Sequence, residues 1–566
     1  MRPAVARVRA RLARLASVAM RLVRLPALPT LAALAALAGV GGCSLVLGFE
    51  DTTLRADTAE GGAVEGGGPG DEGGPSVDAG ASHLSVKPTS IVLRRGAGAD
   101  LTVDLARGSD VPGAISVTVS ALPAGVTATP VTLAPSATTA VVHLTAAATA
   151  TLGPATIMIA ADGTPLAPVS IPLLVADLPG SLDTTFDADG LVSDPSRGVG
   201  STFLGLAVQP DGKIVAAGGA AAAGAALQGW VIRRYAANGV PDTAFNGLAT
   251  TAATSLAEGQ AQAVALDAKG NIVCVGFTQA APLRQLTIVR LLPTGAFDKT
   301  FGGTGTVRIP AEVPATASFA MGVAVQPDGA IVVAGSRRDV VGTNESGIIT
   351  RFLENGARDT TFNGGATVTV AGARFVGVAI DANGFLVGGS TVGGALPSYF
   401  ATRRSAQGLI DATFGSAGTA AFGNTYRANA FARLADGSIA LVGDVQQGAE
   451  GYTAGIATPK GAAVFARAYG NAPGAGFFGI AVQADGAIIA AGHTAVTNGE
   501  ARVQRILPDG NKDMTFGTAG TATIEAAGTA NSIDVTLFAA AVQGDGRILA
   551  AGNRTNAGGV IYRLWP

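Results

Sequence analysis

Val208–Gly218 reads VQPDGKIVAAG, an Asp-Gly turn set between apolar stretches, and close copies of it return down the chain. Aligned on the turn glycine, the copies fall at Gly212, Gly270, Gly329, Gly384, Gly437, Gly486 and Gly546, spaced by 58, 59, 55, 53, 49 and 60 residues. A near-constant period of this size marks an architecture assembled from repeats. Asp-Gly and Asn-Gly supply the positive φ that a tight hairpin demands, so the turn itself accounts for the glycine. Two residues further on stands an aliphatic side chain (Ile214, Ile272, Ile331, Leu386, Ile439, Ile488 or Ile548), expected to point into packing. The strand that follows, such as IVAAG or IIAAG, is small and apolar on both faces. That texture suits a strand covered from both sides near a crowded axis.

A second element follows most hairpins: RYAANGVPDTAF, RLLPTGAFDKTF, RFLENGARDTTF, RRSAQGLIDATF and RILPDGNKDMTF. An arginine precedes an aspartate by eight residues in each, as Arg234 and Asp242, Arg290 and Asp298, Arg351 and Asp359, Arg403 and Asp411, and Arg505 and Asp513. With a turn between them, such residues face each other across an antiparallel pair and read as recurrent ion pairs; the functional alternative is a ring of charged ligand sites. The ends of the region are complementary. VIYRLWP supplies Arg563 without an aspartate, and GSLDTTF supplies Asp183 without an arginine. A closed ring, in which the first strand completes the last unit, removes the exposed edges of an open stack. The fold expected is all-β, with residues 181–566 forming a seven-bladed β-propeller.

AVQPDGKIVAAG, RYAANGVPDTAF and SLDTTFDADG together resemble the delta-60 repeat of exported bacterial proteins. The resemblance covers about Ser181 to Pro566 and implies a propeller, with no reaction attached. The fifth unit departs from it: after Gly437 comes YTAGIATPKGAAVFARAYG, without the arginine or the Asp-x-Thr-Phe.

The composition agrees with many turns and few helices, since glycine, at 80 of 566 residues, is roughly double its usual share and aromatics are only 5%. Residues 83–177 alternate apolar and polar positions between Gly and Pro turns, which predicts about seven short strands in an immunoglobulin-like β-sandwich. SALPAGVTATP resembles a stretch frequent in bacterial domains of that kind. Ahead of it, 43–82 is rich in Gly, Asp and Glu, cannot offset its ordering entropy by burial, and reads as a flexible tether.

Residues 1–42 carry seven arginines and no acid, then the apolar run LAALAALAGVGG, which ends at Cys43. This is the layout of an export signal, and VGGC resembles the bacterial lipobox, so Cys43 is the expected lipidation site. Met20 opens a leader of ordinary length and is a second candidate start. Lipid at Cys43 would hold the chain on a membrane, and Ser44 is compatible with sorting to the outer membrane. Cys274, in the apolar stretch NIVCVGF, then has no intrachain partner and reads as core filler. Without the leader's arginines the chain has 31 basic against 40 acidic residues, a net charge of about −9, which argues against nucleic acid as a partner.

His83, His143 and His493 lie in different segments, and no metal-ligand spacing, nucleophile elbow or phosphate loop occurs, so no cofactor and no catalytic residue is assigned. The function expected is an anchored envelope protein whose propeller face and loops, such as GGAAAAGAALQG and SRRDVVGTNESG, bind protein or glycan. The alternative is a propeller hydrolase or lyase acting on envelope polymers. Growth on a labelled fatty acid tests the anchor: label is expected on the wild-type chain and absent from Cys43→Ser, and label retained by the variant refutes it.

Overall fold

The computed structural model describes residues 82–566 except 195–199, 222–227, 246–258, 281–282, 311–315, 340–343, 393–396, 446–450, 471–474, 495–499, 525–534 and 556. The leader, Cys43 and nearly all of the tether therefore lie outside the described residues, as do large parts of the two loops singled out above. Apart from the 3-10 turn Phe362–Gly365, every regular element among the described residues is a strand.

The alternating segment folds into two facing sheets. One has the order His83–Lys87, Gly98–Ala106, Thr139–Ala146, Val126–Ala128. The other runs Ile91–Arg94, Val169–Ala176, Gly153–Asp162, Ile115–Ser120, Val131–Leu133, with Ile91–Arg94 parallel to its neighbour. Period-two patterning decides which residues enter the core. Gly98–Ala106 buries Leu101, Val103 and Leu105 against Val142, Leu144, Ile157, Ile159 and Val175, and turns Asp104 outward. There are nine strands where about seven were expected, because Pro88 and Pro130 each separate two short strands that belong to different sheets.

The described residues beyond 181 form seven small antiparallel sheets. Their first strands are Ser201–Val208, Gly259–Leu266, Thr316–Val325, Ala373–Asp381, Tyr426–Arg433, Gly476–Val482 and Val535–Val542. Each packs against the next, and Val535–Val542 packs against Ser201–Val208, so the cycle is closed. The seventh sheet takes its outermost strand from the start of the region: Leu191–Ser193 pairs antiparallel with Gly558–Leu564, Val192 opposite Ile561.

All seven first strands carry a bulge at the same place, at Leu204, Gln262, Met321, Val376, Asn429, Phe478 and Phe538. Across from it the second strand carries a glycine. At Gly218 an added Cβ would lie 1.8 Å from the Thr202 carbonyl oxygen, and Gly276, Gly335, Gly389, Gly443, Gly492 and Gly552 stand in the same position. The last letter of IVAAG is therefore demanded by a backbone approach that no side chain fits.

That glycine lies six residues past the turn glycine in six copies and five in the fourth, where Gly384 leads to Gly389. The shorter interval changes the hairpin. Elsewhere the turn glycine sits near φ +80°, as Gly212 does at +81°, whereas Gly384 is at +139° and pairs directly with Asp381 across a two-residue turn. Phe385 is fully buried and pairs with Ile380 as Ile214 pairs with Val208, so Gly384 stands where other copies carry Lys213, Asn271 or Arg547.

Closure also rebuilds a turn from two distant pieces of chain. Asp183 N–H donates to the Arg563 carbonyl at 2.8 Å, Trp565 N–H to Ser181 at 3.0 Å and Gly180 N–H to Trp565 at 2.9 Å. Gly180, at φ +77°, takes the place that Gly239 holds in the unbroken copy. The Arg563 Nε lies 2.6 Å from Asp183 Oδ2, both side chains are essentially without exposure, and Arg547 reaches the same carboxylate at 3.2 Å. Asp183→Ala leaves two buried guanidinium groups facing an absent carboxylate and is expected to cost about 3–5 kcal/mol in thermal or urea unfolding. Asp411→Ala, at a more exposed pair, is expected to cost clearly less; equal losses would show that the closing pair is not special.

Candidate functional site

Five of the six Arg–Asp hairpins share one set of parts; in the other, Arg505 gives Nε to Gln483 at 2.6 Å and its terminal nitrogens to Asp513 and Asp485. Arg290 illustrates the shared set: Nε donates to Asp298 Oδ2 at 2.8 Å, Nη2 to the Thr300 hydroxyl at 3.2 Å, and its guanidinium carbon lies 4.8 Å from the centre of the Phe301 ring. The other Asp298 oxygen accepts the Thr300 N–H and hydroxyl at 3.0 and 2.6 Å, and Phe301 N–H returns to the Asp298 carbonyl at 2.9 Å. The remaining donor, Nη1, leaves the hairpin and binds the Glu354 carbonyl in the turn of the next sheet. The same reach runs from Arg234 to Pro293, Arg351 to Ala406, Arg403 to Pro459 and, across the closure, Arg563 to Ala237. Arg234 pairs with Asp242 at 2.8 Å, Arg351 with Asp359 at 2.6 Å and Arg403 with Asp411 at 2.7 Å; Arg505 pairs with Asp513. Burial works to raise the Asp298, Asp359 and Asp513 carboxyls, but the threonine and the arginine outweigh it and hold each below its ordinary value. These groups are committed to one another and to the frame.

The fifth sheet keeps the arrangement with other residues. Phe465 packs beneath the next turn, where an added Cβ on Gly510 would lie 2.7 Å from its ring, just as Phe301 packs beneath Gly356. Arg467 Nη1 donates to the Gly510 carbonyl at 3.3 Å and the Tyr469 hydroxyl donates to it at 2.9 Å. Sequence reasoning missed both. The signal was an aromatic and an arginine displaced onto the fourth strand, Ala463–Ala468, and just past it.

At the turn ends of the first, sixth and seventh sheets a cavity of about 930 Å³ opens, with Val92 and Arg94 of the sandwich on its border. The turns of Gly212, Gly486 and Gly546 form its floor, and Pro179 and Pro566 line it beside the rebuilt hairpin. The turns are rigid because each aspartate caps its own loop: Asp485 accepts the Ala487 N–H at 3.0 Å and Asp545 the Arg547 N–H at 3.1 Å. Gln543 crosses from the seventh turn to the first, donating to the Ala237 carbonyl at 3.2 Å. The charges of its turns are paired, Arg505 with Asp485 and Asp513 and Arg547 with Asp545 and Asp183, while Arg94, on the sandwich strand, is exposed. No group of three or more His, Cys, Asp or Glu able to hold a metal occurs among the described residues.

Near the axis, Leu204, Phe478 and Phe538 pack together, with Phe478 and Phe538 edge to face at 5.9 Å. His493 stacks flat on Phe478 at 4.8 Å; its Nδ1 is buried without a partner, and burial pushes the imidazole down to about 4. His143 faces outward with Nδ1 2.6 Å from Asp100, and His83 is exposed. Cys274 is fully buried, and desolvation pushes its thiol well up, so it is chemically quiet.

Three stretches, 209–245, 326–362 and 483–516, match the model of a family described as "Domain of unknown function (DUF5122) beta-propeller". Each match runs from the glutamine before an Asp-Gly turn to the phenylalanine after the Arg–Asp hairpin, which supports a propeller-like repeat family. No curated protein matches the chain. Among solved structures, an endo-arabinase from Bacteroides thetaiotaomicron VPI-5482 is 10% identical, covering 66% of this chain and 97% of its own with a TM-score of 0.26. Domains 4 and 5 of the S-layer protein SbsC are 18% identical over 16% of this chain and 50% of theirs, with a TM-score of 0.13. Overlaps this slight say nothing about activity.

His493 makes the fold acid-sensitive in a defined window. Its folded value lies below the ordinary 6.5, so the unfolded chain takes up the proton first, and stability present above about pH 6.5 is lost as pH falls toward 4. Replacing it by leucine is expected to flatten the fall in melting temperature across pH 6.5–4 relative to wild type, a difference of roughly 3 kcal/mol at most. Parallel pH profiles for the two proteins would refute this.

Proposed function

We propose that residues 181–566 are a seven-bladed β-propeller, that 83–177 are an immunoglobulin-like spacer, and that the chain is an exported envelope protein, lipid-anchored at Cys43 in the outer membrane, whose turn face binds another macromolecule. The observation that carries the reading is the 930 Å³ cavity, walled by capped turns of three sheets and by one strand of the sandwich. Its shape is set by the frame, so little ordering has to be paid on binding. The lining is Pro, Gly, Ala, Val, Gln, Asp and Arg without an aromatic ring. Sugars are usually held by stacking on such rings, which tilts the choice between protein and glycan toward an extended polypeptide, bound through turn carbonyls and side-chain amides. We read the chain as a binder in preference to a hydrolase or lyase, because the carboxylates here are spent on arginines and on turn N–H groups.

Gly544 provides the test. It lines the cavity and an added Cβ there meets nothing within 4 Å, so Gly544→Trp fills space without disturbing the frame. Gly113, equally open but in the sandwich and away from this lining, serves as control. Full-length protein is screened against peptide and glycan arrays. Ligands are expected on the peptide array, with signal at least ten-fold lower for Gly544→Trp and unchanged for Gly113→Trp. Ligands that ignore Gly544→Trp would place binding elsewhere, and release of reducing ends from envelope polysaccharide would favour the enzyme.

A further inference from the structure

Charges on the cavity's turns are compensated; at the opposite end of the first strands one is not. Arg374 is the second residue of Ala373–Asp381, whose turn lies at the other end, and it is 95% buried, at 5% exposure. Among the described residues its side chain makes no hydrogen bond or ion pair, and its backbone pairs with Ser390. Four charges bear on it: Arg427, Glu345, Arg338 and Asp444. Arg427 is held by Asp444 at 3.2 Å, and Asp444 also accepts from Asn429 at 2.7 Å. Arg338 is held by Glu345 at 3.0 Å through its Nη2. Among the described residues, three guanidinium groups, Arg374 included, meet two carboxylates, which leaves one positive charge in a buried setting where an unpaired ion is costly. Burial, then Arg427, depress Arg374 to about 10, which still leaves it charged at neutral pH.

The polar atoms around it are also incomplete. Arg338 Nε and Glu345 Oε1 are buried without partners, as is the hydroxyl of Ser390, which stands directly across the sheet from Arg374 and so shares its face. The site therefore offers a guanidinium, a second N–H and a hydroxyl as donors, with one carboxylate oxygen as acceptor. An anion without a donor, such as acetate, would satisfy the charge and leave Glu345 Oε1 unmet, and inorganic phosphate brings a second negative charge against that carboxylate. A carboxylate that also bears hydroxyl groups satisfies both, the carboxylate on Arg374 in fork geometry and a hydroxyl donating to Glu345.

We infer that the end of the ring marked by Arg374, Ser390, Arg338 and Glu345 is a binding site for a hydroxy-carboxylate of the sugar-acid type. The site is independent of the turn-face cavity and stands or falls separately from it. Calorimetry on the full-length protein with D-glucuronate, D-glucose, acetate and inorganic phosphate tests it. Glucuronate is expected to bind and to raise the melting temperature, acetate and phosphate at least ten-fold more weakly, glucose not at all. Arg374→Gln should weaken glucuronate at least ten-fold without lowering the ligand-free melting temperature, because it removes an uncompensated charge. Ser390→Ala, a smaller change in case Arg374→Gln does not fold, should weaken it several-fold. The site is refuted if glucuronate leaves the wild-type melting temperature unmoved, if it binds Arg374→Gln or Ser390→Ala as well as wild type, or if phosphate binds as tightly.

Discussion

A guanidinium group has five N–H donors, and a single hairpin cannot use them all. In five of the seven sheets the arginine on the third strand sets Nε against an aspartate of its hairpin and its face on a phenylalanine, and the donor left over reaches the next sheet's turn carbonyl. Local geometry thus produces a non-local link. Because the pair is buried, it is stiff, and because the sheets form a cycle, every link is also supported from behind. Asp183 and Arg563 show the same parts assembled from chain segments that lie 380 residues apart in sequence. A lysine in this place would keep the charge and lose the fork that reaches both partners.

Closeness at the axis is the second constraint. Seven first strands converge, each bulged, and each bulge brings a carbonyl so near the second strand that only glycine fits opposite. The bulged residues include Leu204, Phe478 and Phe538, whose mutual packing fills the space near the axis with side chains. Small residues elsewhere on these strands let neighbouring sheets approach. Chemistry is thereby moved to the two ends of the strands, where the ring's frame stops and side chains become available.

The two ends differ in how their charge is settled. Along the turns, Arg547 and the arginines of the Arg–Asp hairpins each have a carboxylate and the capping aspartates an N–H, an arrangement suited to holding shape while a ligand is read by form. Around Arg374 the count among the described residues is odd, and buried donors and one acceptor are left over. Imbalance of that kind has no structural benefit in the free chain, and it acquires one when a complementary ligand arrives.

Features that depend on neighbours along the chain were legible in the residues alone: the turn glycines, the Arg–Asp interval and the matching halves at Asp183 and Arg563. Their partners lie within a hairpin or follow from the repeat. The fifth sheet was harder, because Phe465, Arg467 and Tyr469 reproduce a contact from another strand and leave no motif. Gly384 was read as one more turn glycine, although the five-residue step to Gly389, already visible, reverses that reading through the hairpin register. The role of the IVAAG glycine, the cavity beside Arg94 and the solitary charge of Arg374 belong to tertiary structure. Each is decided by which backbone or side chain arrives from another sheet, and spacing along one strand carries no information about a group that approaches through space.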